Sequence, residues 1–328
     1  MDFRLVQEML DKSSNLLLLT HEKPDGDAIG SCLAMADLII RVGKTARVAL
    51  VGPCPQHYRF LDPNLLIVDT LLHADPSQID GIMVLDTGTW NQLGRSAIWL
   101  RNYLIPRLII DHHPTQDDLG GKAIVNTSAE ATATIVASCY SFFGMIPSPN
   151  AAMGLFTALA FDTGWFRHSN VKAETMHLAG DLISWGADPS LVFKQIYQQD
   201  SLKRMHLRAR AMASLETYLG GRVGVLKLSY GDFLATGCTL ADSEGLSDIP
   251  RQLAGVEVAL ALFEESTGSI RVSLRSSGQA DVGSLAELFG GGGHRAASGC
   301  KLQKGLGQAE SEMLRSINTI LSQTEHHQ

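Results

Sequence analysis

Thiol groups are sparse in this sequence. Five of its 328 residues are cysteine, an odd number, and no two of them form a CxxC pair. Scattered single cysteines argue against a disulfide framework and against a zinc site built on thiolates. We therefore expect reduced, mostly buried thiols and a cytoplasmic location. The five are Cys32, Cys54, Cys139, Cys238 and Cys300.

The chain also has no long apolar run and no excess of basic charge. No apolar stretch approaches the roughly 20 residues that a helix needs to cross a bilayer, and the acidic, amphipathic start of the sequence is unlike a signal peptide. The 27 Lys and Arg residues against 34 Asp and Glu give a net charge of −7. Proteins that bind long nucleic acids usually present an extended basic stripe. We therefore expect no membrane partner and no long nucleic-acid tract as a partner, and a nucleotide ligand would have to be short.

What is present is ordinary globular composition, 45% hydrophobic, in a length that suggests two domains. Apolar runs alternate with helical patterns in the first half, which predicts an α/β fold with a mostly parallel sheet flanked by helices. Later runs predict a smaller C-terminal α/β domain. We predict a first domain over 1–190, a helical connector over 191–220 and a second domain over 221–328. The predicted strands are 15–20, 46–51, 81–85, 107–110, 223–228, 256–263 and 270–274, and the main predicted helices are 27–42, 131–143, 151–161, 173–185, 191–198, 201–219, 282–289 and 307–321.

Acidic and histidine residues follow apolar runs at four places. Functional groups of open α/β sheets gather just beyond the carboxyl ends of the strands, so the first three of these segments should converge on one crevice if they follow neighbouring parallel strands. So many acids close together would repel one another unless cations balanced them. A single aspartate after a strand is more often a turn or cap residue, but four such segments are hard to explain by capping alone. The segments are 21–27 (HEKPDGD), 85–87 (LDT), 111–113 (DHH) and 160–164 (AFDTG).

The chemistry of these side chains indicates which cations would bind. Carboxylates and imidazoles without thiolates favour Mn(II), with Mg(II), Co(II) or Fe(II) as weaker options. The number of candidate ligands suggests two divalent ions, an arrangement that is common in phosphoryl hydrolysis.

Four consecutive glycines, at positions 290–293, precede His294 and Arg295. Glycine lets the backbone approach a ligand closely and adopt positive φ angles, and successive backbone N–H groups can surround an anion. Arg275, at the end of a predicted strand, could bind a phosphate through two hydrogen bonds. These residues predict an anion-binding loop, and the alternative is a flexible glycine linker with incidental charges.

These motifs together resemble those of the DHH phosphoesterases, a family named for the triplet at 111–113. HEKPDGDAIGS (21–31), VLDTG (84–88), IIDHH (109–113) and ALAFDTGWF (158–166) are similar to its four N-terminal motifs. LRSSG (274–278) and FGGGGHRAASG (289–299) resemble the DHH-associated substrate-binding domain. The resemblance implies a catalytic, metal-binding domain over 1–190 and a substrate-binding domain over 221–328.

The resemblance also implies roles for individual residues. Two groups of ligands would hold two manganese ions, and Asp86 would bridge the ions. His113 would contact the scissile phosphate, and Asp111 would orient the histidines. One ion would be bound by His21 and Asp25, and the other by Asp27, His112 and Asp162. The substrate-binding residues would be Arg275, Ser276, Gly291, Gly292, Gly293, His294 and Arg295, and the roles of Arg167 and His168 are left open.

Within this family, the length and the two-domain plan are most similar to the nano-RNases that also act as pAp phosphatases. The resemblance implies a hydrolase that cleaves short oligonucleotides (nano-RNA) and 3′-phosphoadenosine 5′-phosphate (pAp) with a water activated by two metal ions. A phosphodiesterase for pApA or cyclic di-AMP is the alternative, and a catalytically dead nucleotide-binding regulator is a third interpretation. The partner would be a short oligonucleotide or a nucleotide bisphosphate, and the sequence leaves a homodimer open.

Overall fold

The computed structural model describes residues 1–68, 76–277 and 280–325. The chain divides into two compact units, residues 1–199 and 200–328, and each unit has its own six-stranded sheet. Gly278, the last residue of the LRSSG motif, lies outside the described residues. Over the ranges described, no helix combines the length and the apolar character needed to traverse a bilayer.

The first unit is built on a sheet in the order β3-β2-β1-β4-β5-β6, in which all neighbouring strands pair in parallel. Alternate residues of β1 and β4 belong to two different hydrophobic clusters, because both faces of the sheet are covered. The mostly parallel α/β sheet predicted for this part of the chain is confirmed. Its strands are β1 (Asn15–Leu19), β2 (Thr45–Ala49), β3 (Ile67–Val68), β4 (Gly81–Leu85), β5 (Arg107–Asp111) and β6 (Lys122–Val125).

Helices flank this sheet, and their starts follow simple capping chemistry. Asp25 caps α2, and Ser148 followed by a proline begins α6. The sequence analysis does not predict β3, β6, α3 or α4, which are too short to show a clear periodicity. The helices are α1 (Arg4–Lys12), α2 (Gly26–Arg41), α3 (Trp90–Leu93), α4 (Arg95–Arg101), α5 (Thr132–Phe142), α6 (Pro149–Asp162), α7 (Ala173–Ser184) and α8 (Pro189–Tyr197).

Helices α2 and α6 pack against each other at very close range. A β-carbon placed on Gly30 would lie 2.2 Å from the carbonyl oxygen of Gly154, far inside van der Waals contact. Glycine is therefore required at Gly30 for the two backbones to approach. Because Asp27 lies in the first turn of α2 and Asp162 ends α6, this contact helps to set the separation of the two carboxylates.

The second unit contains a mixed sheet in the order β11-β12-β10-β9-β8-β7. Strands β8 and β9 pair in parallel, and the other described pairs are antiparallel. In β10, buried Ile270, Val272 and Leu274 alternate with more exposed residues, as the sequence pattern predicts. The elements are α9 (Leu202–Ala213), β7 (Glu216–Tyr218), β8 (Val223–Leu228), α10 (Tyr230–Thr236), β9 (Val258–Glu264), β10 (Ile270–Ser276), α11 (Val282–Glu287), β11 (Gly292–His294), β12 (Ala297–Leu302) and α12 (Leu306–Glu325).

Two segments of this unit differ from the sequence prediction. The helix predicted to reach residue 219 ends at Ala213, and Glu216–Tyr218 forms β7 instead. Threonine and tyrosine favour strands, and the backbone groups of this segment form hydrogen bonds with β8. The glycine run is also not a free loop, because Gly292–His294 pairs with β12 as one strand of a hairpin.

The predicted connector is shared between the two units. Helix α8 lies within the first unit, and α9 lies within the second. Leu207 and Ala211 of α9 pack with Leu226 and Leu228 of β8 in one hydrophobic cluster. A separate connector over 191–220, and the domain boundaries drawn on it, stay a prediction.

Candidate active site

Three neighbouring strands of the first sheet bring the acidic and histidine residues together. His21 follows β1 and Asp86 follows β4, while β5 ends at Asp111 and is followed by His112 and His113. Because β1, β4 and β5 are adjacent and parallel, their carboxyl ends lie at the same edge of the sheet. The predicted convergence of these motifs is what the geometry shows.

The candidate ligand atoms form three overlapping groups, and within each group they lie within 4.8 Å of one another. Asp86 belongs to two of these groups. Its Oδ2 atom lies 3.5 Å from His21 Nε2, and its Oδ1 atom lies 3.6 Å from His112 Nε2. The two oxygens of one carboxylate therefore face different ligands, as a bridging carboxylate requires. The groups are His21–Asp25–Asp86, Asp27–His112–Asp162 and Asp86–His112–His113.

Asp86 adopts a left-handed backbone conformation, with a φ angle of 60°. Residues other than glycine seldom do so, and aspartate tolerates it better than most because its short polar side chain can hydrogen-bond locally. Such conformations concentrate at functional sites, where the surrounding structure enforces them. The residue is 2% exposed, so a buried carboxylate is held here on a turn that few residue types could form.

The first motif places two aspartates at the start of α2. Asp25 caps the helix, since its Oδ1 atom accepts hydrogen bonds from the backbone N–H groups of Asp27 and Ala28 at 3.0 and 3.1 Å. Asp27 is fully buried, and Ser31 Oγ donates a hydrogen bond to its Oδ1 atom at 2.9 Å. Both carboxylates are thus fixed in direction by hydrogen bonds within the same short segment.

The DHH triplet holds His113 through its own aspartate. Asp111 is fully buried, and its Oδ1 atom lies 2.8 Å from His113 Nδ1. Gln116 Nε2 donates to the other oxygen of Asp111 at 2.6 Å and to the carbonyl oxygen of His113 at 3.0 Å. Nothing in the sequence singles out Gln116, because a glutamine three residues after the triplet carries no signal on its own.

The pKa values of two acids in this site, Asp27 and Asp162, are raised by burial and by neighbouring carboxylates. Burial raises the pKa of Asp27 well above its usual value, and the charges of Asp86 and Asp162 raise it further. Burial would lower the pKa of His21, but neighbouring aspartates outweigh it and raise the pKa to about 9. The pKa of His112 is likewise raised to about 9, against the effect of burial, chiefly by Asp162. The site therefore holds more negative charge than its own residues balance, which favours a bound cation.

His112 is oriented as a ligand of a metal ion would be. Its Nε2 atom is buried and has no hydrogen-bond partner among the described residues. This atom lies 3.1 Å from Asp162 Oδ2 and 3.6 Å from Asp86 Oδ1. Its Nδ1 atom lies 3.3 Å from the carbonyl oxygen of Ala129, which orients the ring. An imidazole nitrogen directed at carboxylates, with the opposite nitrogen anchored on the backbone, fits a divalent metal ion.

The fourth motif ends in a left-handed turn. Residues 164–166 have φ angles of 55°, 59° and 61°. Arg167 Nε donates to the carbonyl oxygen of Gly164 at 2.7 Å, and His168 Nδ1 lies 3.4 Å from the carbonyl oxygen of Asp162. Both side chains therefore contact the turn that follows Asp162, and a role in substrate binding stays open.

In the second unit, three of the predicted substrate-binding residues, Arg275, Gly292 and Gly293, line a groove of about 580 Å³ along β10, β11 and β12. Arg275 lies at one end, where its Nε atom is 3.6 Å from Asp248 Oδ1. A β-carbon on Gly293, whose φ angle is 145°, would lie 2.5 Å from Ser298 Cα, so the hairpin needs glycine there. The groove is lined by Arg271, Val272, Ser273, Arg275, Gly292, Gly293, Ala297, Ser298, Gly299, Cys300 and Lys301.

The other predicted residues of this set lie in different surroundings. His294 and Arg295 are exposed at the turn of the hairpin, and Gly291 precedes β11. Ser276 is 3% exposed and lies on the buried face of β10 with Leu274, opposite Arg275. Ser276 is not among the residues that line the groove. Arg271 and Lys301 add positive charge that the sequence analysis does not predict.

Two domain signatures match the sequence. The signature described as DHH family, N-terminal domain, matches residues 15–159, and the DHHA1 domain matches residues 223–323. The first range contains the strand-end acids and the triplet, and the second contains the groove. The chain contains a DHH domain and a DHHA1 domain. Its first sheet is that of the DHH domain, and its groove lies in the DHHA1 domain.

Several known proteins are similar to this DHH protein. It is 28% identical over 323 residues to a bifunctional oligoribonuclease and PAP phosphatase of Thermus thermophilus, a match that covers 97% of this chain and 94% of that protein. It is 22% identical to the cyclic-di-AMP phosphodiesterase PdeA of Listeria monocytogenes, over 95% of this chain but 49% of that protein. The crystal structure of an exopolyphosphatase-related protein from Bacteroides fragilis matches with a TM-score of 0.90 at 22% identity, over 98% of this chain and 97% of that one, which shows the same fold.

Proposed function

We propose that this DHH protein is a hydrolase that cleaves phosphoester bonds in short oligonucleotides and in pAp. The observation that carries the proposal is the position of Asp86, whose two carboxylate oxygens face two groups of metal-ligating side chains. Pairs of metal ions are a common solution for phosphoryl hydrolysis. The Thermus protein named as an oligoribonuclease and PAP phosphatase, which matches over nearly its whole length, supports this substrate class.

The proposed cofactor is a pair of divalent ions, with Mn(II) favoured over Mg(II) and Co(II) by the mixed carboxylate and imidazole ligands. Asp86 would be shared by the two ions. When bound, the ions would lower the pKa of an attacking water and offset the charge of the phosphate. The proposed ligands are His21 and Asp25 for one ion, and Asp27, His112 and Asp162 for the other.

His113 is proposed to donate a hydrogen bond to the scissile phosphate. Its Nδ1 atom is held 2.8 Å from Asp111 Oδ1, and this interaction raises the pKa of His113. The side chain is 39% exposed, so the opposite ring nitrogen can reach a ligand. A raised pKa keeps a proton on the ring while negative charge develops on the phosphate, which stabilises the transition state. Gln116 supports this arrangement by donating to the second oxygen of Asp111.

The DHHA1 domain is proposed to hold the body of the substrate through its phosphates. The guanidinium of Arg275 can form paired hydrogen bonds with a phosphate. Gly292 has open space where a side chain would stand, so a phosphate can approach its backbone closely, while Gly291 and Gly293 are the glycines that the tight hairpin requires on either side of it. His294 and Arg295 would add a donor and a fixed positive charge. Ser276 is the weakest member of the predicted set, because its side chain is buried on the opposite face of the strand.

A phosphodiesterase for pApA or cyclic di-AMP is the second candidate, and the similarity to PdeA of Listeria favours it over a regulator without activity. Both functions would use the same metal centre, so only substrate preference separates them. The proposal includes a cytoplasmic location, which the five buried cysteines favour, and it is compatible with a homodimer.

The test is a comparison of kcat/KM across substrates in the presence of Mn(II). The panel contains pAp, pApA, cyclic di-AMP, and RNA and DNA from dinucleotides to lengths of about 20 residues. The longest of these should bind poorly, because long single strands are usually bound in a basic channel. We expect the highest values for pAp and the shortest RNAs, and a decline with length. A preference of more than tenfold for pApA or cyclic di-AMP would favour the second candidate. If none of these substrates is hydrolysed, both candidate functions are refuted.

A further inference from the structure

Thr132, at the start of α5, contacts the two aspartates on which the proposed metal centre depends. Its side-chain hydroxyl donates a hydrogen bond to Asp86 Oδ1 at 3.0 Å, and its backbone N–H donates to Asp27 Oδ2 at 2.6 Å. All three residues are at most 2% exposed. We infer that Thr132 is a positioning residue that fixes the orientation of Asp86 between the two ligand groups. This inference rests on the proposed function.

The hydroxyl of Thr132 fixes the rotation of the Asp86 carboxylate. A bridging carboxylate must present one oxygen to each metal ion, and rotation about its terminal bond would disturb both contacts. Oδ1, the oxygen that accepts from Thr132, is the one that faces His112, while Oδ2 faces His21. A single hydrogen bond therefore distinguishes the two oxygens and keeps each directed toward its own group.

The backbone of Thr132 links this arrangement to Asp27. Helix α5 begins after Ala131, whose side chain cannot accept a hydrogen bond from the first turn. The carboxylate of Asp27 takes the place of a capping side chain, because it accepts hydrogen bonds from the N–H groups of Thr132 at 2.6 Å and Ala133 at 3.0 Å. The start of one helix thus holds Asp27 through its backbone and Asp86 through a side chain.

The hydroxyl, rather than the volume of the side chain, is what the inference requires. Thr132→Val keeps the branched shape and the backbone N–H groups and removes the donor to Asp86. Thr132→Ser keeps the donor and removes a methyl group. Loss of a group that orients a metal ligand typically lowers metal affinity or activity by about 10–100-fold. We expect that loss for Thr132→Val and recovery of most of the affinity in Thr132→Ser.

Thr157 provides a matched control. It is also a fully buried threonine on a helix of the first unit, but its hydroxyl donates to the carbonyl oxygen of Met153 within its own helix, at 2.9 Å. Thr157→Val should therefore retain the metal affinity of the wild type. Its melting temperature without metal shows how much stability is lost when a buried hydroxyl is replaced by a methyl group.

The experiment measures Mn(II) dissociation constants of the metal-free full-length proteins by calorimetric titration, together with kcat and KM for pAp. The inference predicts weaker Mn(II) binding and lower kcat for Thr132→Val, with KM little changed. Wild-type affinity in Thr132→Val, or equal losses in Thr132→Val and Thr132→Ser, would overturn it. If the wild type binds two ions and hydrolyses pAp while Thr132→Val matches it, the inference alone fails. If the wild type neither binds Mn(II) nor hydrolyses pAp, the proposed function fails as well.

Discussion

Replacement of Asp86 by asparagine is the most informative perturbation of the proposed metal centre. Asparagine keeps the size of the side chain and tolerates the left-handed backbone found here, where φ is 60°. Alanine would add backbone strain that could be mistaken for a loss of function. Asp86→Asn removes the negative charge and makes one of the two carboxylate oxygens an amide nitrogen, which cannot bind a metal ion. The protein should therefore fold but lose the bridge.

The structure gives the scale of the expected effects. Removal of a single group that stabilises transition-state charge commonly lowers kcat by about 10²–10³-fold. Because Asp86 lies 3.5 and 3.6 Å from histidines of two ligand groups, we expect a decrease of at least about 100-fold in kcat, or about 2.7 kcal/mol. The Tm of the metal-free protein should change little. Loss of the Asp86 charge relieves its repulsion of Asp27 and Asp162, but it also removes a negative partner that raises the pKa values of His21 and His112.

The assay combines hydrolysis of pAp in excess Mn(II) with thermal melting in the presence of a chelator. Asp80→Asn is the matched control, since Asp80 precedes β4 just as Asp86 follows it. Asp80 accepts hydrogen bonds from the backbone N–H groups of Ser14 and Asn15, and its variant should retain most of the wild-type kcat. Retention of a tenth or more of kcat by Asp86→Asn would refute the bridging role.

Three further outcomes follow from the geometry. Gly30→Ala should reduce the free energy of unfolding by about 1–3 kcal/mol, because the added β-carbon would lie 2.2 Å from a carbonyl oxygen of α6. Urea denaturation measures this, with Gly180→Ala as the control, since a β-carbon there meets nothing within 4 Å. Equal denaturation midpoints for the two variants would contradict the prediction. The metal-free protein should lose stability as pH rises from about 6.5 to about 9, because the pKa values of His21 and His112 are raised to about 9 in the folded state. The two protonated histidines stabilise the fold fully only below the pKa of an unfolded histidine, about 6.5. A Tm that rises over this pH range, measured with a chelator, would contradict the prediction. Arg275→Ala should raise KM for pAp by roughly tenfold with little change in kcat, and an unchanged KM in steady-state kinetics would count against the clamp.

The residues of the metal centre could be predicted from the sequence because each lies next to a strong local pattern. The apolar runs at β1, β4 and β5 are each followed directly by an acid or a histidine, and parallel strands place such residues at one edge. His21, Asp86 and Asp111 follow from this rule alone. The α/β class follows from the same alternation of apolar runs and helices.

The parts that the sequence could not predict depend on contacts between distant segments. Thr132 meets Asp86 only after α5 folds against α2, and Gln116 meets Asp111 only through a loop conformation. Strand β7 is three residues long and is stabilised by its pairing with β8 rather than by its own pattern. The burial of Ser276, by contrast, follows from the two-residue repeat of β10, since Ser276 lies on the same face as Ile270, Val272 and Leu274.

The central claim is that side chains from separate parts of the DHH domain bind two divalent ions on either side of Asp86. Anomalous scattering from crystals of the metal-free protein soaked in Mn(II) tests it directly. The account predicts two peaks roughly 3.5–4 Å apart, one beside His21 and Asp25 and the other beside His112 and Asp162. No peak at this site, or a single ion bound by other side chains, would contradict it.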